Sequence, residues 1–326
     1  MRLLDIKRWF TAGLLAACAS ATMAQAWAPS TVRIIVPYPP GTEPDVLARD
    51  VGNALAKETG KVFVVDNKPG ANSMIGTDVV AKADGDGATL LMVDRLAIVT
   101  NPLLYAKVPY QWETSLRPIS DLATVHLFVG VREGLPVKTF AELINYAKAN
   151  PKKVNVGTGG NGHVTHIGME MLAQASGVSW TYVPYKGVAP AVQGMLTGEV
   201  DAVMAGGLAL QALAKTGKVR MLVVGADKRA SFVPEVPTLA EAGGQVGSIP
   251  STVFSLMGPA KMPDALAQQI SRAVAQVMSQ PALREKYESR GLVVTPTTPE
   301  QTLQLMKKEA VKYAQIIREA GIKIDQ

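Results

Sequence analysis

The sequence predicts an α/β protein made of two units. Three observations support this. Short β-branched runs, each stopped by a Gly/Pro turn, alternate with stretches whose apolar residues recur at helical spacing. A second series of the same kind starts near Val125. The chain has 326 residues, enough for two packed cores at about 150 residues each.

Met1–Ala26 stands apart from the fold. Arg2, Lys7 and Arg8 give a basic start, Trp9 through Ala19 is apolar or small, and Ala24-Gln25-Ala26 has the A-x-A form that signal peptidase cuts. The apolar run is shorter than the ~20 residues a membrane span needs. The segment therefore predicts export. Leu15-Ala16-Ala17-Cys18 also has the form of a bacterial lipoprotein box, with Cys18 acylated, so two processing routes stay open. A cut after Ala26 lowers the net charge from +6 to +4.

From Trp27 the elements follow in order. Val32–Val36 is a strand stopped by Pro37-Tyr38-Pro39-Pro40-Gly41, and Asp45–Lys57 carries apolar residues at helical spacing. Val62–Val65 is a strand ended by Asn67-Lys68-Pro69-Gly70, Ile75–Ala83 a helix and Thr89–Val93 a strand. In the second series Val125–Val129, Lys153–Val156, Trp180–Val183, Val200–Met204 and Arg220–Val224 read as strands. Phe140–Ala149, His163–Ala175 and Ala189–Leu196 read as helices, the last with Pro190 near its start, where a missing N–H costs little. Ser251–Met257 is a further apolar stretch, and helices at Pro263–Ser279 and Pro299–Ala320 close the chain. The alternation predicts parallel sheets covered on both faces.

Composition narrows the function classes. The chain is 48% hydrophobic and 18% charged, which excludes a largely disordered protein. A single cysteine excludes a disulfide framework and every multi-cysteine metal site. Lys and Arg are scattered and aromatics are 6%, without the basic stripe of a nucleic-acid binder.

Two loops have the chemistry of anion sites. In Gly41-Thr42-Glu43-Pro44-Asp45, Thr42 and Asp45 have capping-box spacing, which places Thr42 at a helix N-cap. The first N–H groups of that helix lack intrahelical partners and favour a carboxylate. Gly157-Thr158-Gly159-Gly160-Asn161-Gly162 follows a strand and opens a helix. It matches G-x-G-x-x-G formally, but Tyr182-Val183-Pro184 stands where a ribose-binding acid belongs, and His163-Val164 stands where a phosphate loop has Lys and Ser or Thr. The remaining reading is a backbone nest for a small carboxylate, with Thr158 as hydroxyl donor.

His163, His166 and Glu170 fall at i, i+3 and i+7 and could share a helix face as metal ligands, although the spacing is not H-E-x-x-H. A role for His166 in orienting the glycine loop is the alternative. His126 reads as a packed residue. No G-x-S-x-G occurs, and no catalytic nucleophile is legible.

The motifs together resemble the periplasmic solute-binding family of tripartite tricarboxylate transporters, the Bug receptors. They are Ile35–Gly41 with Asp45 and Ala48-Arg49; Asp66–Ala71 with Ile75-Gly76; Asp86-Gly87 with Thr89–Leu91; and Asn101–Tyr105. They continue with Gly157-Thr158, Gly162 and His166; Val183–Gly187 with Ala189–Ala191; and Val233–Thr238 with Glu241–Gly243. The resemblance implies a two-lobed periplasmic-binding-protein (Venus flytrap) fold, hinged and closing over a small carboxylate. One lobe is 27–123 plus 251–326, the other 124–250. It implies ligand contacts at Tyr38, Gly41, Thr42, Asp45, Thr158, Gly162 and His166, with Tyr185, Lys186 and Asp201 in further motifs on the cleft side.

The chain departs from the family at Thr42, where a second glycine is usual, at Asn72-Ser73, and at Asp94-Arg95, where small residues are common. Arg95 is either half of an internal Asp–Arg pair or a fork for a second ligand carboxylate. The expected function is that of a monomeric exported receptor delivering a carboxylic acid, dicarboxylate or amino acid to the membrane subunits of its transporter. It uses no cofactor, metal or catalysis, and no nucleic acid is among its partners. An exported metal-assisted enzyme and a sensor feeding a membrane kinase are the alternatives.

Overall fold

The computed structural model describes residues 27–319, 321 and 322; the expected export signal, with Cys18, lies outside the described residues. The first half contains β1 (Thr31–Val36), α1 (Glu43–Thr59), β2 (Val62–Asn67), α2 (Met74–Ala81), β3 (Thr89–Asp94), α3 (Arg95–Leu104) and the single turn α4 (Trp112–Ser115). The long strand β4 (Leu116–Arg132) leads to α5 (Phe140–Ala149), β5 (Asn155–Thr158), α6 (Val164–Ser176) and β6 (Thr181–Pro184). Next come α7 (Val188–Thr197), β7 (Ala202–Gly206), α8 (Gly207–Lys215) and β8 (Val219–Val224). The chain then returns through β9 (Ser251–Pro259), α9 (Asp264–Met278), α10 (Pro281–Glu288), β10 (Leu292–Val294) and α11 (Pro299–Glu319).

The sheet runs β2-β1-β3-β9-β4-β7-β5-β6, with β8 and β10 also on β4. The pairs β1–β2, β1–β3, β5–β6 and β5–β7 are parallel. Every pairing of β4 and β9 is antiparallel, so the sheet is mixed where alternation alone predicts parallel strands. The difference arises because β9 comes from a returning segment, not from a crossover helix.

β4 joins the halves. Its residues from Leu116 to His126 pair with β9, and those from Leu127 to Val131 pair with β7. The sequence shows only the middle of this strand, because Pro118, Ser120 and Asp121 break the apolar run. Tertiary contacts hold those positions: Asp121 N donates to Thr297 Oγ1 at 2.8 Å, and the ladder to β9 slips between Pro118 and Ser120.

The continuous apolar run of β1 is buried on both faces. Ile34 joins the core of Leu47, Val51 and Leu55 from α1 and Ile270 from α9, while Ile35 joins that of Leu91, Val93 and Met257. Burying each such side chain contributes about 1.5–3 kcal/mol. Gly60, at φ 70°, ends α1 in the left-handed conformation that glycine adopts without penalty. Among the described residues no helix is long and apolar enough to cross a membrane. The loops beyond the carboxyl ends of β1 and β5 lie where the halves face each other, a boundary (the gap) marked by the approach of Glu43 to Gly206 and of Tyr105 to Asn161.

Candidate functional site

On the first side of the gap, β1 runs into Pro37–Thr42. Gly41 has φ 80° and its N–H donates to Asp45 Oδ2 at 2.9 Å. Asp45 is buried and also receives Arg49 Nε at 3.1 Å, Arg49 Nη2 at 2.9 Å and Asn67 Nδ2 at 2.9 Å. Burial opposes its ionisation, yet these donors hold the carboxyl below its usual range. With both oxygens taken, Asp45 shapes the loop and has no free acceptor for a ligand.

Thr42 occupies the N-cap, as its spacing predicts, but without the reciprocal capping bonds. Pro44, in the first turn, has no N–H to give, and the Thr42 hydroxyl turns back to donate to Pro39 O at 2.7 Å. Glu43 N and Asp45 N are left as the free donors of the first turn among the described residues. Tyr38 forms the floor beside them. Its hydroxyl accepts Asp94 N at 3.0 Å, its ring packs edge-on against Phe254, and its carbonyl accepts Asn67 Nδ2 at 3.0 Å.

On the other side, β5 ends at the buried Thr158. The glycine loop after it spends most of its N–H groups internally. Gly159 N donates to Thr165 Oγ1 at 2.9 Å, Gly160 N to Thr158 Oγ1 at 3.4 Å and Gly162 N to His166 Nδ1 at 3.1 Å. This corrects the expectation of a loop that displays its amides. The Thr158 hydroxyl accepts Gly160 N, and its own O–H has no acceptor among the described residues although the residue is almost wholly buried. Gly160, at φ 121°, lies where a Cβ would come within 3.2 Å of Tyr185 O, so conformation and close approach both require glycine.

His166 orients this loop. Because Nδ1 accepts, its proton sits on Nε2, and burial lowers its pKa, keeping the ring neutral. Among the described residues the trio does not form a metal-holding group: His163 Nδ1 meets Thr165, and Glu170 accepts a hydrogen bond from Tyr182 Oη at 2.5 Å. Tyr182, which the sequence marks only as standing where a ribose-binding acid belongs, also packs edge-on against His166.

Three expected contacts lie elsewhere. Arg95 is 4% exposed and sends Nε and Nη2 to Glu309 at 2.9 and 2.7 Å and Nη1 to Asp121. A buried guanidinium needs such partners, and each of its three nitrogens has one. Asp94 is not one of them; it caps α3 through Leu96 N at 3.0 Å. Asp201 accepts Arg132 Nε at 2.8 Å and Asn155 N at 2.9 Å, which places it at the amino end of β5, about 10 Å along the strand from Thr158. The Tyr185 hydroxyl lies over Gly194, where a Cβ would come within 2.2 Å, facing α7; burial and then Glu199 push it up to about 12. Lys186 is exposed on the following turn.

Contacts across the gap bring the halves together. Tyr105 Oη donates to Asn161 O at 3.2 Å. Phe232 lies between Gly207 and Gly291, where a Cβ at either would fall 2.2 Å from its ring. Glu43 Oε2 lies 3.8 Å from the Cβ position of Gly206.

Comparison with known proteins bears on the fold and the family. The chain is 31% identical over 294 residues to the protein BugT of Bordetella pertussis (strain Tohama I), covering 90% of each chain. An R. palustris protein solved with adipate superposes with a TM-score of 0.84 at 29% identity, over 91% of this chain and 100% of that one. MatC from Rhodopseudomonas palustris with bound malate gives 0.79 at 26% identity, over 88% and 98%. These likenesses establish the α/β periplasmic-binding-protein fold. The profile of the tripartite tricarboxylate transporter family receptor matches residues 47–322, and the chain belongs to that family.

Proposed function

We propose that the protein is a periplasmic receptor that binds a small organic carboxylate between a lobe of residues 27–123 plus 251–326 and a lobe of residues 124–250. It delivers that solute, as a monomer and without chemistry, to the membrane subunits of a tripartite tricarboxylate-type transporter. The observation that carries the reading is the approach of the two halves at Tyr105–Asn161 and at Glu43–Gly206, beside the first turn of α1 and the glycine loop. The first turn of α1 offers Glu43 N and Asp45 N, and the opposite loop offers the Thr158 hydroxyl.

In this reading Tyr38, Gly41, Thr42, Thr158 and Gly162 line the ligand end, directly or through waters. Asp45 and His166 hold the two loops in shape, and Lys186 adds positive field. The adipate and malate bound by the two relatives make aliphatic dicarboxylates a natural first panel. Binding stabilises by RT ln(1 + [L]/Kd), so a thermal-shift screen of mono-, di- and tricarboxylates and amino acids tests it. A saturable rise in Tm with no turnover is expected; a panel without any shift overturns the carboxylate reading.

A further inference from the structure

The glycine loop after β5 is fastened to the first turn of α6 at both of its ends. At the far end Gly162 N donates to His166 Nδ1 at 3.1 Å. At the near end Gly159 N donates to Thr165 Oγ1 at 2.9 Å, and that hydroxyl stands 3.0 Å from His163 Nδ1. Thr165 N also donates to His163 Nδ1, at 3.3 Å, so this ring nitrogen is an acceptor and the proton sits on Nε2. Burial, and after it His166, lower the His163 pKa to about 4, which keeps the lone pair free at neutral pH. The direction of each bond follows. Gly159 N–H gives to the Thr165 oxygen and the Thr165 O–H gives to the imidazole, so one hydroxyl joins amide and ring.

Gly159 N belongs to the Thr158–Gly159 peptide, whose carbonyl accepts Tyr185 N at 3.0 Å. The peptide plane is therefore held from both edges, and with it the direction of the Thr158 side chain, whose hydroxyl belongs to the proposed carboxylate site. Thr165 is 1% exposed, so no solvent stands ready to replace its hydroxyl as the acceptor.

The ring leaves a second mark on the loop. Gly160 and Gly162 take positive φ, 121° and 71°, whereas Gly159 does not. A Cβ on Gly159 would instead meet His163 Nδ1 at 2.7 Å and Cγ at 2.9 Å. Glycine at 159 is thus required by the imidazole lying on its backbone. Ser, Thr, Asp or Asn would cap α6 without filling that space.

Resting on the carboxylate-receptor reading above, we propose that His163 and Thr165 are positioning residues for ligand binding: the relay from Gly159 N–H through Thr165 Oγ1 to His163 Nδ1 sets the Thr158–Gly159 peptide, and through it the donor that Thr158 presents to a bound carboxylate.

Calorimetric titration with adipate, malate, succinate, aspartate and glutamate tests this, with the Tm of the ligand-free protein measured on every variant. Thr165→Val keeps the shape and removes the hydroxyl, and is expected to weaken the compounds that bind the wild type about ten-fold. Thr165→Ser, which keeps the hydroxyl, retains most of that affinity. His163→Ala is expected to lose about as much as Thr165→Val. His163→Asn, whose Oδ1 falls near the place of Nδ1, recovers it, and His163→Gln, whose amide reaches the place of Nε2, does not. Because either change breaks the same relay, the Thr165→Val, His163→Ala double variant binds within about two-fold of the weaker single.

A fall in Tm with unchanged affinity marks a purely structural cap and overturns the proposal. Additive losses in the double variant, or equal affinities of His163→Asn and His163→Gln, overturn it as well. Should Thr165→Val fail to fold, the His163 variants decide by the same criteria. Wild-type binding that these substitutions leave unmoved overturns the positioning role and keeps the carboxylate reading. Failure of every compound to bind the wild type overturns both.

Discussion

Tyr105 and Asn161 stand 56 residues apart in the chain and on opposite sides of the cleft, yet the tyrosine hydroxyl donates to the asparagine carbonyl at 3.2 Å. The acceptor belongs to the glycine loop that His166 holds in shape, so the bond ties the shape of the binding loop to the approach of the halves. A neutral bond of this kind contributes about 0.5–1.5 kcal/mol net.

Tyr105→Phe removes that contribution from the closed form alone. Ligand affinity is expected to fall a few-fold, with the Tm of the ligand-free protein almost unchanged. Calorimetry and thermal denaturation of the same variant check both halves of the statement.

Gly207 and Gly291 leave room for the ring of Phe232 between the halves. A Cβ at Gly207 meets Phe232 Cζ at 2.2 Å, and overpacking of this kind costs about 1–3 kcal/mol. Gly207→Ala is expected to weaken binding about ten-fold, and Phe232→Leu in the same chain to restore part of it. Affinities of the single and double variants check the coupling.

Arg95 joins α3, β4 and α11 through Asp121 and Glu309. Removing one partner of a buried ion pair leaves an uncompensated charge and costs about 3–5 kcal/mol. Arg95→Ala is therefore expected to lower unfolding stability by that amount while the folded fraction keeps its ligand affinity within about two-fold. Denaturant titration and calorimetry separate the two. A selective loss of affinity at unchanged stability would return Arg95 to the ligand.

Stability should depend on pH through two acids, Glu43 half-buried and Asp94 buried. Burial pushes the Glu43 carboxyl up to about 7, with Arg290 pulling the other way. Burial raises Asp94 to about 7 as well, against the hydrogen bond from Leu96 N. Between their ordinary values near 4 and about 7, the folded state holds protons that the unfolded state has released. These groups therefore favour folding at low pH, and their stabilisation is lost as pH rises through that window. Urea titrations at pH 5 and pH 8 should show the ligand-free protein less stable at pH 8, and Glu43→Gln should narrow the difference by about 1–3 kcal/mol.

The alternating strands and helices were legible because period and punctuation are local properties: α1 runs Glu43–Thr59 where spacing predicts Asp45–Lys57. His166 was legible as an organiser of the glycine loop because it follows Gly162 by one helical turn. Arg95 was not, since its partner Glu309 is 214 residues away. Asp201 was misplaced because a motif does not say at which end of a strand it lies; the register of β5 against β7 decides that. Glu43 escaped notice because an acid in a first helical turn is ordinary favourable placement at the helix dipole. Only the approach of Gly206 from the other half makes it distinctive.

The central claim is that the cleft takes a small carboxylate and the two halves close on it. Titrating the protein with the members of the carboxylate and amino-acid panel that raise its Tm, while following small-angle scattering, tests this most directly. The account expects saturable binding at one site per chain, with compaction on binding and no product formed. Saturation without compaction, conversion of the compound, or no binding across the panel would contradict it.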